Sequence, residues 1–431
     1  MKKIFFAMLM LPCLISCTNE KEQELIAEDE VKSTQIRSIE EAKVIAINAI
    51  DILNGKEARS VARKLDMNNI QYVTSVMSRN GQNINDTLIY VLNYADNAGF
   101  AIVSALKETE GLLAVTEEGS YNPNDEIIQG NEGFEMFMDV AEKYLESVRS
   151  MRIPTLPEVP GSYDIEIRED TLSTTRVEPL VNVRWGQKDY EGAYATNGIA
   201  GCANVAMAQI MTYFCYPNQI SINYPNSSIN SLTLNWNEIK KHNIKHAIQN
   251  CTANNAAHEA IGHLHRQLGH LNSSNYNATS TGTSPSAVPG TFRQLGYTIS
   301  NYKNYNVDYL CEDLSANKLI FMIGYGYDAI ANEITGGHAW VNDGYVIYQI
   351  EESEWTKPTM LMDWTFVRKY DPYDRTYLHM NWGGSGNCNG YFLANVLMPG
   401  TSIEFDNLGN GFSNMSGWNF DYNAQYITIS R

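Results

Sequence analysis

Residues 201–211 read Gly-Cys-Ala-Asn-Val-Ala-Met-Ala-Gln-Ile-Met, a loop glycine followed by a run of small and apolar residues. The pattern predicts an amphipathic helix that begins at Cys202. At a helix N-terminus, the unpaired N–H groups and the positive end of the macrodipole stabilise a thiolate, which is the nucleophilic form of cysteine. Most free cysteines, however, are simply buried. A general base at a suitable spacing decides between these two interpretations.

His338 is the candidate base. It lies in Thr-Gly-Gly-His-Ala-Trp-Val at residues 335–341, which is 136 residues after Cys202 (338 − 202). Papain-like peptidases separate nucleophile and base by roughly 130 to 150 residues. The two glycines predict a tight entry into a strand that presents the histidine at the end of a sheet. We therefore interpret Cys202 and His338 as a nucleophile and its base.

Two further segments carry side chains that such a pair needs. Residues 379–384 read His-Met-Asn-Trp-Gly-Gly, a strand followed by a glycine turn. Asn381 and Trp382 are therefore candidates to orient or shield the imidazole. Upstream, the side-chain N–H of Gln187 and the backbone N–H of Cys202 would form a two-donor oxyanion hole.

Five short motifs in this order resemble the streptopain family of papain-fold cysteine peptidases. They are Gly-Cys at 201–202, Ala-Gln-Ile-Met at 208–211, Tyr-Pro at 216–217, Gly-His-Ala at 337–339 and Asn-Trp-Gly at 381–383. The resemblance is strongest over residues 180–400. It implies an α+β fold, in which a small α+β pro-domain precedes a papain-like catalytic domain with a helical part and an antiparallel β part.

The resemblance also implies an endopeptidase made as a zymogen, with the N-terminal domain as its inhibitor. It implies that Cys202 is the nucleophile, His338 the base, Gln187 the oxyanion donor and Trp382 the indole packed by the histidine. Asn381 directly precedes Trp382, whereas the papain pattern has one residue between them. Because a shift of one residue in a strand moves a side chain to the opposite face, Asn381 either orients His338 or faces away from it.

The composition limits the partners. The chain has 431 residues, 44% of them hydrophobic, which is enough for two domain cores. Its formal charge is −18 and it has no Lys/Arg cluster, so a nucleic-acid partner is not expected. The expected partners are protein or peptide substrates and the chain's own pro-domain. We expect a monomer without a cofactor.

The first residues indicate export. Residues 1–16 combine a basic start with an apolar stretch too short to span a bilayer, which is typical of a signal peptide. The stretch ends Leu-Ile-Ser-Cys, which resembles a bacterial lipobox and makes Cys17 the candidate lipidation site. Ordinary secretion is the alternative. Residues 17–37 include six acids and one lysine between 20 and 30, which predicts a solvated tether. We therefore expect anchoring by lipid at a bacterial outer membrane or cell surface, or release from it.

Residues 38–152 form the predicted pro-domain. Hydrophobic periodicity predicts helices over 40–53 and 133–152 and strands over 72–76, 88–94 and 99–104. Residues 97–105 are similar to the pro-domain of streptopain-like enzymes, which implies that this region blocks the cleft. A separate binding module is the alternative.

Residues 153–178 are predicted to be an activation linker before a catalytic domain at 179–431. Pro154, Pro157, Pro160 and Gly161 interrupt the periodicity here. Exposed polypeptide of this kind is where proteases cut, so activation cleavage is expected within the linker.

The cysteine count predicts thiols. Of seven cysteines, Cys13 would leave with the signal peptide and Cys17 would carry lipid, which leaves five (7 − 2). An odd number leaves at least one unpaired, and the resemblance implies that this one is Cys202. The others are expected to be buried thiols, because a domain of this size does not need disulfide bonds for stability. One disulfide bond among them is the alternative. They are Cys215, Cys251, Cys311 and Cys388.

A histidine cluster after residue 256 does not predict a metal site. His258 and His263 are five residues apart, whereas the zinc-protease motif needs four to place both imidazoles on one helical face. We interpret His258, His263, His265 and His270 as solvated or packed side chains of one helix. Residues 272–289 lack periodicity and predict a mobile loop, which the resemblance places beside the cleft.

Two other functions use the same residues. The first is a catalytically silent papain-like protein that binds partners at the cell surface. The second is an amidase or transglutaminase that uses the Cys/His pair on another acyl group. Labelling by an epoxide inhibitor would distinguish the first, and an assay with amine acceptors the second.

Overall fold

The computed structural model describes residues 36–54, 63–79, 82–150, 163–242, 256–328, 333–358, 363–397 and 422–431. Within these residues, no helix is both long and apolar enough to cross a membrane. Cys17 and Cys251 lie outside the described residues. The predicted lipidation and one predicted thiol therefore stay predictions.

The N-terminal part combines helices with an antiparallel meander. Its elements are α1 (Ile39–Asn48), α2 (Ile50–Asn54), β1 (Leu65–Arg79), β2 (Gln82–Tyr94), β3 (Phe100–Ser104), β4 (Leu112–Thr116), α3 (Glu126–Gln129) and α4 (Glu132–Ser150). Ser38 caps α1 with a capping box that it shares with Glu41, which fixes where this helix begins. The predicted helices and strands are present, and β4 is a strand that the sequence analysis missed.

The C-terminal part begins with a strand and then alternates helices with short strands. These elements are β5 (Tyr163–Val177), α5 (Cys202–Phe214), β6 (Gln219–Ser221), β7 (Ser231–Thr233), α6 (Trp236–Ile239), α7 (Ala256–Leu271), β8 (Asn275–Tyr276), β9 (Thr281–Gly282), α8 (Val288–Gln294), β10 (Thr298–Ile299), β11 (Lys303–Asn304) and α9 (Val307–Ser315). Long strands complete it: β12 (Leu319–Asp328), β13 (Glu333–Pro358), β14 (Thr365–Lys369), β15 (Tyr373–Asn381), β16 (Gly390–Leu393) and β17 (Tyr422–Ser430).

One antiparallel sheet runs through both parts. Its path is β1-β2-β3-β4-β16-β15-β13-β12-β17-β10, with β11 on β17 and with β5 and β14 on β13. Strands β4 and β16 join the two parts by pairing Thr116 with Gly390 and Ala114 with Phe392. The described structure therefore has the predicted α+β character, with helices packed on an antiparallel sheet.

Two hydrophobic cores lie on opposite faces of this sheet. Along β12, Leu319, Phe321 and Ile323 pack into the core that contains α5 and α7. The alternating residues Ile320 and Met322 pack into the core that contains the N-terminal helices. This alternation follows from the two-residue period of a strand. The core around α5 and the core around the N-terminal helices therefore lie on opposite faces of the sheet.

The predicted linker is partly regular structure. Residues 163–177 form β5 and pair antiparallel with β13, from Val177 opposite Tyr345 to Tyr163 opposite Pro358. The prolines lie before this strand, and the alternating Ser, Thr and charged residues after them suit a solvated edge strand. The prediction of an irregular linker is therefore wrong for residues 163–177, while residues 153–162 lie outside the described part of the chain.

Residues 272–289 are also more regular than predicted. They contain the short hairpin of β8 and β9, and Thr281 Oγ1 donates to the Ile199 carbonyl at 2.8 Å. Asn197 donates to the Asn277 carbonyl at 2.6 Å. The two segments hold each other by polar bonds that hydrophobic periodicity does not detect. The hairpin therefore braces the loop that leads into α5.

Candidate active site

Cys202 is the first residue of α5, as predicted. Gly201, which precedes it, has φ +92°, a conformation that favours glycine. A Cβ on Gly201 would also lie 3.0 Å from the Thr281 carbonyl oxygen. The Val205 N–H donates to the Gly201 carbonyl and starts the helix. The thiol therefore stands at the positive end of a 13-residue helix.

His338 lies on β13, opposite Gly324 of β12, and its side chain is buried. Its Nε2–H donates to the backbone carbonyl of Trp382 at 2.7 Å. The assigned tautomer leaves Nδ1 facing Cys202 and the carboxylate of Glu132. Nδ1 makes no hydrogen bond of ordinary geometry within the described residues.

The thiol and the imidazole change each other's pKa. Burial raises the pKa of Cys202, but the charge of His338 and the N–H of Ala339 outweigh it and leave the pKa below its usual value. Burial lowers the pKa of His338, but the charge of Cys202 and the Trp382 carbonyl raise it to about 10. Each group thus favours the charged form of the other. The pair can exist as thiolate and imidazolium at neutral pH.

Asn381 lies next to the site without contacting His338 in any described hydrogen bond. Its side-chain N–H donates to the Val183 carbonyl at 2.9 Å, and its side-chain oxygen accepts from Gln209 at 3.0 Å. Asn381 is thus part of a buried amide network. The atom that holds the imidazole is the Trp382 carbonyl, which a search for side-chain motifs does not detect.

Residue 187 and Trp382 both lie close to the Cys202–His338 pair, and their expected roles as oxyanion donor and packing indole stay predictions. The Gln187 carbonyl accepts from the Ala200 N–H at 2.7 Å, which brings residue 187 next to the loop before Cys202 despite a separation of 15 positions (202 − 187). Trp382 is fully buried, and its ring packs on Trp340 at 5.2 Å between centroids. Trp340 lies in turn beside the imidazole, with centroids 6.4 Å apart.

The N-terminal part reaches into the site through the start of α4. The Glu132 carboxylate lies 3.5 Å from His338 Nδ1. At Gly133, an added Cβ would lie 2.5 Å from Trp382 Cε3 and 2.6 Å from His338 Cδ2. Asn131 donates to the Asn387 carbonyl at 2.9 Å. Glu132 and Gly133 therefore lie against the imidazole, Asn131 is bonded to the neighbouring turn, and the sequence analysis named none of the three as a site residue.

A second ionic contact joins the two parts beside the cleft. His379 is buried between Asp343, at 2.6 Å, and Glu117 of the N-terminal part, at 3.4 Å. Burial lowers the pKa of His379, but the charges of Asp343 and Glu117 raise it to about 10. Burial raises the pKa of Glu117, but His379 and Arg184 bring it down to about 2. A cavity of about 320 Å³ opens next to this cluster.

The other predicted groups are distributed through the C-terminal part. All four histidines of the cluster lie on α7, where His263 and His265 are buried and His265 Nδ1 contacts the Ile261 carbonyl at 2.7 Å. Each described cysteine is a free thiol, namely Cys202, Cys215, Cys311 and Cys388. Burial raises the pKa of Cys388 and Cys311, whereas the pKa of Cys202 lies below its usual value.

Two protein-family models match the two parts of this chain. The Peptidase C10 family model matches residues 184–392, and the Spi protease inhibitor model matches residues 31–149. Streptopain of Streptococcus pyogenes is 23% identical over 357 residues, which cover 74% of this chain and 77% of that protein; streptopain of serotype M1 gives the same figures. The structure of a prointerpain A fragment from Prevotella intermedia covers 83% of this chain and 98% of its own, at 19% identity and a TM-score of 0.48.

The chain is a cysteine endopeptidase. An inhibitor domain of the Spi type precedes a peptidase C10 domain of the streptopain family in the sequence, so the chain is a zymogen.

Proposed function

We propose that Cys202 is the nucleophile of this peptidase and His338 its general base and acid. The thiolate attacks a peptide carbonyl carbon, and the Cys202 N–H and the Gln187 side chain hold the resulting oxyanion. His338 gives its proton to the leaving amine as the C–N bond breaks. Water, deprotonated by His338, then hydrolyses the thioester and frees the thiol.

One observation carries this proposal. Cys202 and His338 meet at a helix N-terminus, and each moves the other's pKa towards the charged form. The Trp382 carbonyl fixes the ring through Nε2, so that Nδ1 faces the sulfur. This is the geometry that a preformed thiolate–imidazolium pair requires.

We also propose that residues 131–133 keep the zymogen inactive. Gly133 packs against His338 and Trp382, and Glu132 faces the imidazole on the side where a substrate would approach the sulfur. A peptide carbonyl cannot reach Cys202 until α4 withdraws. Cleavage at residues 153–162 would allow this, because residues 163–177 are paired in β5 and strand pairing protects a backbone from proteases. N-terminal sequencing of the mature enzyme tests the position.

For the compartment, we propose export and lipidation at Cys17, on the grounds of the apolar leader and the Leu-Ile-Ser-Cys motif. The protein is expected in the membrane fraction, and globomycin is expected to block its processing. A soluble, unlipidated protein in untreated cells would contradict the proposal.

The central test is Cys202→Ala. The variant is expected to lose both casein hydrolysis and self-maturation, and to resist labelling by an epoxide inhibitor. Cys215→Ser is the matched control, because Cys215 ends the same helix and its thiol donates to the Thr212 carbonyl, a bond that serine keeps. If Cys202→Ala still cleaves casein and processes itself, the assigned nucleophile is wrong.

A further inference from the structure

Three metal-ligating groups from distant parts of the sequence meet at the blocked site. Cys202, His338 and Glu132 each offer one ligand atom, and these atoms all lie within 4.8 Å of one another. Glu132 belongs to the inhibitor domain, and the other two belong to the peptidase domain. The cluster therefore exists only while the two domains are joined.

One measured separation in this cluster matches that of two ligands on a tetrahedral ion. Zinc binds nitrogen and oxygen ligands at about 2.0–2.2 Å and sulfur at about 2.3 Å, which places tetrahedral ligand atoms about 3.3–3.8 Å apart. Glu132 and His338 Nδ1 already lie 3.5 Å apart. A thiolate, an imidazole and a carboxylate are the ligand types that zinc takes in proteins.

A second observation points to a ligand. His338 Nδ1 is buried, faces the cluster and has no hydrogen bond of ordinary geometry within the described residues. Its Nε2–H donates to the Trp382 carbonyl, which is how the second ring nitrogen of a metal-bound histidine is usually held. The Ala339 N–H lies beside the Cys202 sulfur and favours its thiolate form. Two of the three ligands thus have the outer-shell partners that orient them towards an ion.

We propose that the zymogen binds one zinc ion between Cys202, His338 and Glu132, with water as the fourth ligand. The ion takes the place of the imidazolium proton, which is released to solvent, and no oxidation or reduction occurs. The two negative ligands then balance the divalent charge. The ion occupies the thiolate and ties the inhibitor domain to the peptidase domain, so it is a second restraint on activation. This proposal rests on the same site as the proposed function. It requires the thiol of Cys202 to be free, but it does not require Cys202 to be the nucleophile.

The test measures metal binding directly in the intact, full-length zymogen, with Co²⁺ as the probe. Tetrahedral Co²⁺ bound to a thiolate absorbs in the near-ultraviolet and visible range, and Zn²⁺ should displace it with the absorption lost. Wild-type zymogen is expected to bind one Co²⁺ per chain with this absorption. Gel electrophoresis of each sample verifies that the chain has not been cleaved.

Glu132→Gln is expected to weaken Co²⁺ binding by about tenfold or more, since it removes one ligand. Glu135→Gln is the matched control, because Glu135 is exposed in the same first turn and is not a member of the cluster. It should bind Co²⁺ like the wild type. Glu132→His supplies a different zinc ligand at the same place and should keep the absorption. Mature enzyme, which lacks Glu132, should bind like Glu132→Gln.

The proposal is overturned if wild-type zymogen shows no thiolate absorption, if Cys202→Ser retains it, or if Glu132→Gln and Glu135→Gln bind Co²⁺ equally. Casein hydrolysis by the Cys202→Ala variant is assayed separately. Activity in that variant would refute the assigned nucleophile and leave the metal result standing. Loss of activity without metal binding in the zymogen would refute the metal site alone.

Discussion

Gly133→Ala is expected to make the zymogen activate itself too early. The added methyl would lie 2.5 Å from Trp382 Cε3 and 2.6 Å from His338 Cδ2, far inside normal contact. Both rings are buried in packed surroundings, so neither can move aside freely. The start of α4 must therefore shift away from the site.

The magnitude follows from two opposing effects. Overpacking of a buried contact costs about 1–3 kcal/mol, while replacing a helical glycine by alanine returns up to about 1 kcal/mol. Subtracting about 1 kcal/mol leaves a net cost of about 0–2 kcal/mol, which weakens the docking of the inhibitor domain. Because 1.4 kcal/mol corresponds to a factor of ten, self-processing should speed up by as much as roughly 30-fold.

The assay follows conversion of purified zymogen to mature enzyme on gels, together with hydrolysis of labelled casein. Gly130→Ala is the control, since a methyl there would meet only the Glu126 carbonyl, at 3.0 Å. Mature enzymes from both variants should be equally active because neither glycine remains in them. A Gly133→Ala zymogen that melts like the wild type and converts no faster would refute the reasoning.

Three other predictions concern charge and hydrogen bonding. Glu117→Gln should lower the free energy of unfolding of the zymogen by about 1–3 kcal/mol. This is less than for a fully buried ion pair, because Glu117 is partly exposed. Because the pKa of Glu117 is lowered, its contribution to the free energy of unfolding is present above about pH 4.5 and is lost as the pH falls towards 2. Because the pKa of His379 is raised, its contribution is present below about pH 6.5 and is lost as the pH rises towards 10. Melting temperatures between pH 3 and 9 should therefore show a smaller pH dependence in the variant, and an unchanged curve would contradict the pairing. Asn381→Ala should lower the free energy of unfolding by about 1–3 kcal/mol, because it breaks the hydrogen bonds to Val183 and Gln209. It should leave the pH profile of kcat/KM unchanged, because the Trp382 carbonyl holds His338. A shift of the basic limb of that profile would show that Asn381 orients the imidazole. In the mature enzyme, Cys202 should react with iodoacetamide at pH values well below the ordinary pKa of a thiol. In His338→Ala, the alkylation rate should rise only when the pH approaches that ordinary pKa. Equal pH–rate profiles for the two proteins would refute the ion pair.

Local sequence signals predict where both members of the proposed catalytic pair lie. The change from a glycine loop to an apolar helical run marks the start of α5 at Cys202, and the glycine pair before an apolar stretch marks the histidine on a strand. Both signals lie within a few residues of the group they place. The helix and strand pattern of residues 39–104 is predicted for the same reason.

The remaining features depend on contacts between residues far apart in the sequence. Glu132 precedes Cys202 by 70 positions (202 − 132), and α4 reaches the imidazole through contacts between the two parts, among them the pairing of β4 with β16. The Trp382 carbonyl is a backbone atom and leaves no residue-type signature. β5 is recognised only through its pairing with β13, because its polar alternation resembles an exposed linker.

The pairing of β4 with β16 has a consequence for the mature enzyme's behaviour in solution. In the zymogen, residues 390–392 bond to residues 114–116, and Tyr391 and Phe392 are buried. Departure of the inhibitor domain leaves this strand as an open edge with unpaired N–H and C=O groups next to newly uncovered aromatic rings. Such edges recruit strands from other chains. Maturation therefore converts a well-shielded molecule into one prone to self-association, and the mature enzyme should precipitate at lower concentration than its zymogen.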